Sequence, residues 1–238
     1  MRRPALLLAS AILLAGCDVP SLGMPDPVSK EGQHVDSLWR LFVVAGAIVF
    51  ALVVGLILYA GIRFRRRNDD VPNQNAYNIP VEVIYTVTPI LVVALLFGLT
   101  VAAQRKLTST NAADPLVVEV TGFQWGWRFD FPAQHVTVQG AGEVSPPSID
   151  LPVDRTVRFV LRTDDVIHSF WVPTFLEKRD LIQGIDNQVE ITPTQLGVYR
   201  GRCAEFCGLD HWRMPFDLHV VTQGEFDAWV RGHPGATP

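Results

Sequence analysis

Cysteine is scarce in this 238-residue chain, with three in all, at positions 17, 203 and 207. A framework of several disulfides is therefore excluded, and folding has to rest on an apolar core. No Cys-x-x-Cys-His stretch occurs, so no covalent c-type haem is fused to the chain. The sequence also has no P-loop, no GxGxxG and no GxSxG nucleophile elbow, which leaves nucleotide binding and serine hydrolysis without a motif. It contains neither an internal repeat nor a low-complexity tract. Lysine is nearly absent, three residues against seventeen arginines, a bias that hints at a GC-rich bacterial genome. Positive charge is scarce in the second half: residues 107–238 hold ten basic against seventeen acidic side chains, whereas residues 1–106 hold ten against seven. An acidic second half argues against nucleic acid and is compatible with a basic protein partner, although surface acids also simply keep a domain soluble.

Apolar sequence, in contrast, is plentiful. Hydrophobic residues make up 48% and mean hydropathy is +0.21, so membrane segments come first. Residues 1–16 have the form of a signal peptide, with Arg2 and Arg3 ahead of an apolar run and small residues before a cut. Leu14-Ala15-Gly16-Cys17 has the pattern of a bacterial lipoprotein box, which predicts lipidation of Cys17 and an N-terminal lipid anchor. Lipidation would leave Cys203 and Cys207 as the only thiols of the mature chain. Two spans are predicted, at about 41–62 and 83–103, each long enough to cross ~30 Å of hydrocarbon. The arginines at 63, 65, 66 and 67 lie between them, and basic residues stay in the cytoplasm. Both termini therefore face outward, as the signal peptide independently requires. Glu82 falls at the cytoplasmic start of the second span, where a carboxylate costs less than at mid-membrane. By itself it reads equally well as a solvated end-of-helix acid. Pro89 within that span is tolerable in a membrane bundle.

From residue 107 onward the pattern changes. Val157, Phe159 and Leu161 alternate with polar neighbours, as do Phe216, Leu218 and Val220, and Pro/Gly clusters separate such runs. Period-two segments punctuated by turns predict an antiparallel β-sandwich or barrel over 107–238, closed by a short helix at about 224–230.

Chemistry concentrates in Cys203-Ala-Glu-Phe-Cys207-Gly-Leu-Asp-His211-Trp-Arg-Met214. A disulfide between the two cysteines would close a very short loop, where the entropic gain is least, and would leave His211 and Met214 unused. Zinc sites are built from Cys and His, and methionine is not a usual ligand. A soft thiolate and imidazoles with a long methionine bond suit electron-transfer copper. Cys207, His211 and Met214 have the spacing of a single-copper ligand loop between the last two strands of a cupredoxin. His168, in Asp165-Val-Ile-His168-Ser-Phe-Trp, is the candidate for the distant histidine. Cys203 is then left over, and a second thiolate is what a two-copper centre needs.

These motifs together resemble subunit II of haem–copper cytochrome c oxidase. The resemblance spans the helix hairpin, the Val-Ile-His-Ser-Phe segment, the whole cysteine loop and Gly122-Phe-Gln-Trp125-Gly-Trp127. It implies a transmembrane hairpin followed by an all-β cupredoxin-like Greek-key sandwich in the bacterial plasma membrane, with the sandwich on the outer face. It also implies a binuclear copper A centre held by His168, Cys203, Cys207, His211, Met214 and the backbone carbonyl of Glu205. By the same resemblance the Glu205 carboxylate shares a magnesium ion with subunit I, Trp125 receives electrons from cytochrome c, and Glu82 marks the mouth of a proton path. Electrons would pass on to haem in subunit I, where dioxygen is reduced and protons are translocated. Asp164 and Asp165 are candidates for docking cytochrome c, whether soluble or tethered. Gly126 departs from the family, which commonly has an aromatic residue there. The competing reading is a membrane-anchored copper-binding electron carrier outside any oxidase.

Overall fold

The computed structural model describes residues 21–69, 71 and 74–233. The signal segment 1–16 and Cys17 lie outside the described residues. Two long helices come first, α1 (Lys30–Arg63) and α2 (Ile79–Leu107). Both exceed the expected spans because polar turns extend them beyond the apolar stretch. Ser29 starts α1, its hydroxyl accepting the Gly32 N–H at 2.9 Å. At the start of α2, Asn78 Oδ1 accepts from Val81 N–H at 3.4 Å, while Glu82 Oε1 accepts the Asn78 N–H at 3.0 Å. Glu82 therefore satisfies an otherwise orphaned donor at a helix terminus. Pro89 lies inside α2 without ending it. The middles of both helices expose Leu, Ile, Val and Phe along their whole length, and no residue of α2 is buried. That surface suits lipid rather than water.

Residues 21–36 and 105–233 form a separate compact unit from residues 37–69 and 74–104. Its ten strands are β1 (Leu116–Phe123), β2 (Gly126–Phe131), β3 (Val136–Ala141), β4 (Ser148–Pro152), β5 (Val157–Thr163), β6 (His168–Val172), β7 (Glu177–Leu181), β8 (Asn187–Ile191), β9 (Gly197–Cys203) and β10 (Pro215–Val221). They make two five-stranded sheets, in the orders β3-β2-β1-β5-β8 and β4-β10-β9-β6-β7. The sandwich is not wholly antiparallel as the alternation suggested. β1 runs parallel to β5 and β4 parallel to β10, because long crossovers return the chain beside an earlier strand. Side-chain alternation reports which face is buried and carries no information on the direction of the neighbouring strand.

An aromatic stack fills the space between the sheets. Phe170 lies flat on Phe216, centroids 4.9 Å apart, and Trp127 meets Phe216 edge-on at 5.2 Å. Helix α3 (Gln223–Arg231) closes the chain where expected. Thr222 and Glu225 form its capping box, and Phe226 and Val230 are buried. Two carboxylates fasten the segments that flank the sandwich. Glu31, in the first turn of α1, accepts from Thr192 N–H at 2.8 Å, and Glu190 accepts from Ala112 N–H at 3.2 Å while paired with Arg158 at 2.6 Å.

Candidate metal centre

β6 and β9 are antiparallel neighbours with Phe170 opposite Cys203. This register puts His168, the first residue of β6, beside Cys203, the last residue of β9. The chain then loops through Glu205, Cys207 and His211 before Met214 leads into β10. Two contacts close the base of the loop: Cys203 N–H donates to the Met214 carbonyl at 3.2 Å, and Trp127 Nε1–H donates to the same oxygen at 3.0 Å. The tip stays in solvent, where Phe206, Leu209 and Trp212 are 77%, 82% and 69% exposed.

Every residue expected at the centre converges there. The Cys203 and Cys207 sulfurs are 3.8 Å apart, both free and both buried. His168 Nδ1 lies 3.8 Å from Cys203 Sγ, and His211 Nδ1 lies 3.6 Å from Cys207 Sγ. Met214 Sδ approaches Cys207 at 3.3 Å and the Glu205 carbonyl oxygen approaches Cys203 at 3.3 Å. Among the described residues, the ligand atoms of His168, Cys203 and Cys207 all fall within 4.8 Å of one another. The donor set fits soft metal ions. Half the sulfur–sulfur spacing is shorter than a thiolate–metal bond of ~2.3 Å, so one ion can touch both sulfurs from either side.

The metal-free electrostatics point the same way. Burial raises both thiols. At Cys203, hydrogen bonding with His168 and with the neighbouring backbone outweighs burial and lowers the thiol below its ordinary value. At Cys207, burial and the adjacent Cys203 push the thiol up. Two sulfur charges this close and this buried repel each other, so placing both as thiolates requires cations between them.

Asp165 has a role that sequence reading did not assign. Its Oδ1 lies 2.8 Å from His168 Nε2, and its Oδ2 accepts the Gln124 N–H at 2.7 Å. Burial works against the Asp165 charge, yet its hydrogen bonds, that of His168 foremost, hold its carboxyl below the usual range. A carboxylate can only accept, so Nε2 carries a proton toward Asp165, which leaves Nδ1 as the ring atom facing Cys203. The spacing Asp-x-x-His was the available signal. Asp164 is more exposed and faces Arg128 at 3.5 Å. The Glu205 carboxylate faces Lys178 Nζ at 3.4 Å.

Trp125 sits partly buried against the loop. Its Nε1–H donates to the Cys207 carbonyl at 3.2 Å, and Gln124 Nε2 donates to the same oxygen at 2.8 Å. Two glycines make room for this packing. A Cβ on Gly122 would lie 3.0 Å from the His168 ring, and Gly208, at φ +118°, would press one to 3.0 Å from Gln124. At Gly126 an added Cβ would press into the Gly140 carbonyl and the Phe123 ring, so a side chain has no space here. Glu82 lies in the helical unit.

Comparison with known proteins agrees with this architecture. A family model described as "Cytochrome C oxidase subunit II, transmembrane domain" matches residues 18–101, and one described as "Cytochrome C oxidase subunit II, periplasmic domain" matches residues 142–221. A "Probable cytochrome c oxidase subunit 2" of Streptomyces avermitilis is 37% identical, with 100% of this chain and 91% of the relative covered. A "Cytochrome c oxidase subunit 2" of Mycobacterium tuberculosis is 30% identical over 95% of this chain and 80% of its own length. The solved periplasmic domain of subunit II of cytochrome oxidase from Bradyrhizobium japonicum superposes with a TM-score of 0.50 at 30% identity, covering 52% of this chain and 96% of that one. The chain belongs to the cytochrome c oxidase subunit II family, and is a membrane component of the oxidase with two apolar helices and an outward-facing C-terminal β-sandwich.

Proposed function

We propose that this subunit carries a binuclear copper A centre and passes single electrons from cytochrome c toward haem in subunit I. The observation that carries the reading is the pair of free, buried sulfurs at 3.8 Å, flanked by two imidazole nitrogens, a thioether and a carbonyl. Two bridging thiolates let bound copper ions share one unit of charge, which spreads the structural change on reduction over two metals. Cys203 and Cys207 would bridge, His168 and His211 would each hold one ion, and Met214 and the Glu205 carbonyl would be the weak ligands.

The surrounding residues fix those positions. Asp165 holds the His168 tautomer and, through the Gln124 N–H, joins it to the Trp125 segment. Trp125 offers a hydrogen-bonded route from the partly exposed indole to the Cys207 backbone, which suits the residue that receives the electron. Asp164 and Asp165 contribute to the acidic surface that would dock a basic cytochrome c. The Glu205 carboxylate, one oxygen of which faces Lys178, would help hold magnesium, and Glu82, one oxygen of which accepts the Asn78 N–H, would take up protons. An N-terminal lipid on Cys17 would add a further anchor to the two spans.

The test is electron paramagnetic resonance of the full-length chain loaded with copper. Hyperfine structure shared by two equivalent copper nuclei is the expected result, and coupling to one nucleus rejects the binuclear reading. Trp125→Ala should leave that spectrum intact while slowing electron acceptance from reduced cytochrome c in stopped-flow mixing. An unchanged rate would remove Trp125 from the path.

A further inference from the structure

The end of α1 holds a concentration of charge that the oxidase reading does not use. Arg63 is the last residue of the helix, and Phe64, Arg65, Arg66 and Arg67 follow it at once. The guanidinium of Arg63 rests over the Phe64 ring, 5.6 Å from its centroid. Arg66 donates to the Asn68 carbonyl at 3.2 Å and pairs with Asp69. Among the described residues, Arg65 and Arg67 have no carboxylate partner. The backbone bends so that the four arginines line one concave cleft with Phe64, Asn68 and Asp69, and a second cleft brings Arg65, Arg66 and Arg67 against Gly61 and Ile62.

We propose that this cleft binds the phosphodiester headgroup of an anionic phospholipid in the cytoplasmic leaflet. A topology signal needs only a count of positive charges in the loop. A cleft of convergent guanidinium groups does more, because the planar fork matches phosphate oxygens two at a time. The apolar neighbours decide between a lipid and free phosphate. Ile62 and Phe64 are 74% and 71% exposed directly beside the arginines, where the glycerol and upper acyl carbons of a lipid would cover them. Inorganic phosphate would leave both uncovered. The position also fits, since the arginines immediately follow an apolar span and so lie at headgroup depth.

The test uses the full-length chain in neutral detergent, stripped of lipid and titrated with phosphatidylglycerol, with phosphatidylcholine, and with inorganic phosphate. Bound lipid is read by native mass spectrometry. The expected result is retention of phosphatidylglycerol, weakened by about 0.5 M salt, with no comparable binding of phosphatidylcholine. The triple variant Arg65→Gln, Arg66→Gln, Arg67→Gln removes three charges at about fivefold each, so affinity should fall roughly a hundredfold. Arg63 stays in place to preserve orientation, which protease accessibility of the loop in membrane vesicles checks. Unchanged lipid binding in a correctly oriented triple variant overturns the proposal. Displacement of the lipid by millimolar inorganic phosphate also overturns it, in favour of a free-anion site. If the variant does not insert, the wild-type titration decides alone, and equal binding of the two lipids rejects the site.

Discussion

The two histidines of the centre reach it by different routes. His168 opens a strand, is fully buried, rests on Gly122 and has its second nitrogen tied to Asp165. His211 sits in a single 3-10 turn, half-buried, beside the exposed Trp212. One half of the site is thus part of the sandwich frame, while the other rides on a loop fastened at its base and, through Trp125 and Gln124, at the Cys207 carbonyl. The difference teaches where preorganisation comes from. The frame sets His168 and Cys203 before any metal arrives, and the closed base of the loop brings Cys207, His211 and Met214 to meet them.

Breaking the bridge between the halves should have the largest effect. Under the binuclear proposal, Cys203→Ser removes the strand-borne thiolate and should reduce copper uptake from two ions to one per chain, measured by metal analysis of the loaded protein. Retention of two ions would show that the loop half suffices. Loosening the base comes next. Trp127→Phe deletes the indole donor to the Met214 carbonyl inside the core and should cost about 2 kcal/mol in chemical denaturation of the apo protein. A loss under half of that would mean that the loop does not depend on this contact.

Releasing the strand histidine should have a more local consequence. Asp165→Asn weakens the hold on the His168 ring and should lower copper affinity about tenfold to a hundredfold while leaving the fold intact. Unchanged affinity in a competition titration would reduce Asp165 to a surface residue. Smallest of all is the expected effect at the loop tip. Leu209→Ser touches neither ligand nor core, and stability of the isolated chain should stay within about 0.5 kcal/mol with the copper spectrum unaltered. A spectral change would mean that the tip is coupled to the ligands after all.

Much of this architecture was legible in the residues. The two spans follow from uninterrupted apolar length, and α3 from the spacing of Phe226, Trp229 and Val230. The strands carrying Val157–Leu161 and Phe216–Val220 follow from their alternation. The candidate ligand cluster was legible because two thiols, a thioether and an imidazole fall within twelve positions of a chain with few of each. The polar start of α1 was not legible, because Ser29 and Glu31 act through Phe175 and Thr192, far along the chain. The parallel pairing of β1 with β5 was equally hidden, since partner choice depends on the path of the chain between strands.

Asp165 shows the limit most clearly. The sequence marks it as an acid near a histidine, and a docking role was the reading its charge alone suggested. Only the fold shows one oxygen facing His168 and the other the Gln124 N–H, because that depends on where β1 ends relative to β6. The sequence by itself determined the inventory: which candidate ligands exist, which segments prefer lipid, and which segments alternate. These are properties of composition and local period. Tertiary structure decided the encounters, putting His168 beside Cys203 across thirty-five positions and turning two separate thiols into one pair. Such encounters depend on register and crossover, which no local stretch of chain encodes.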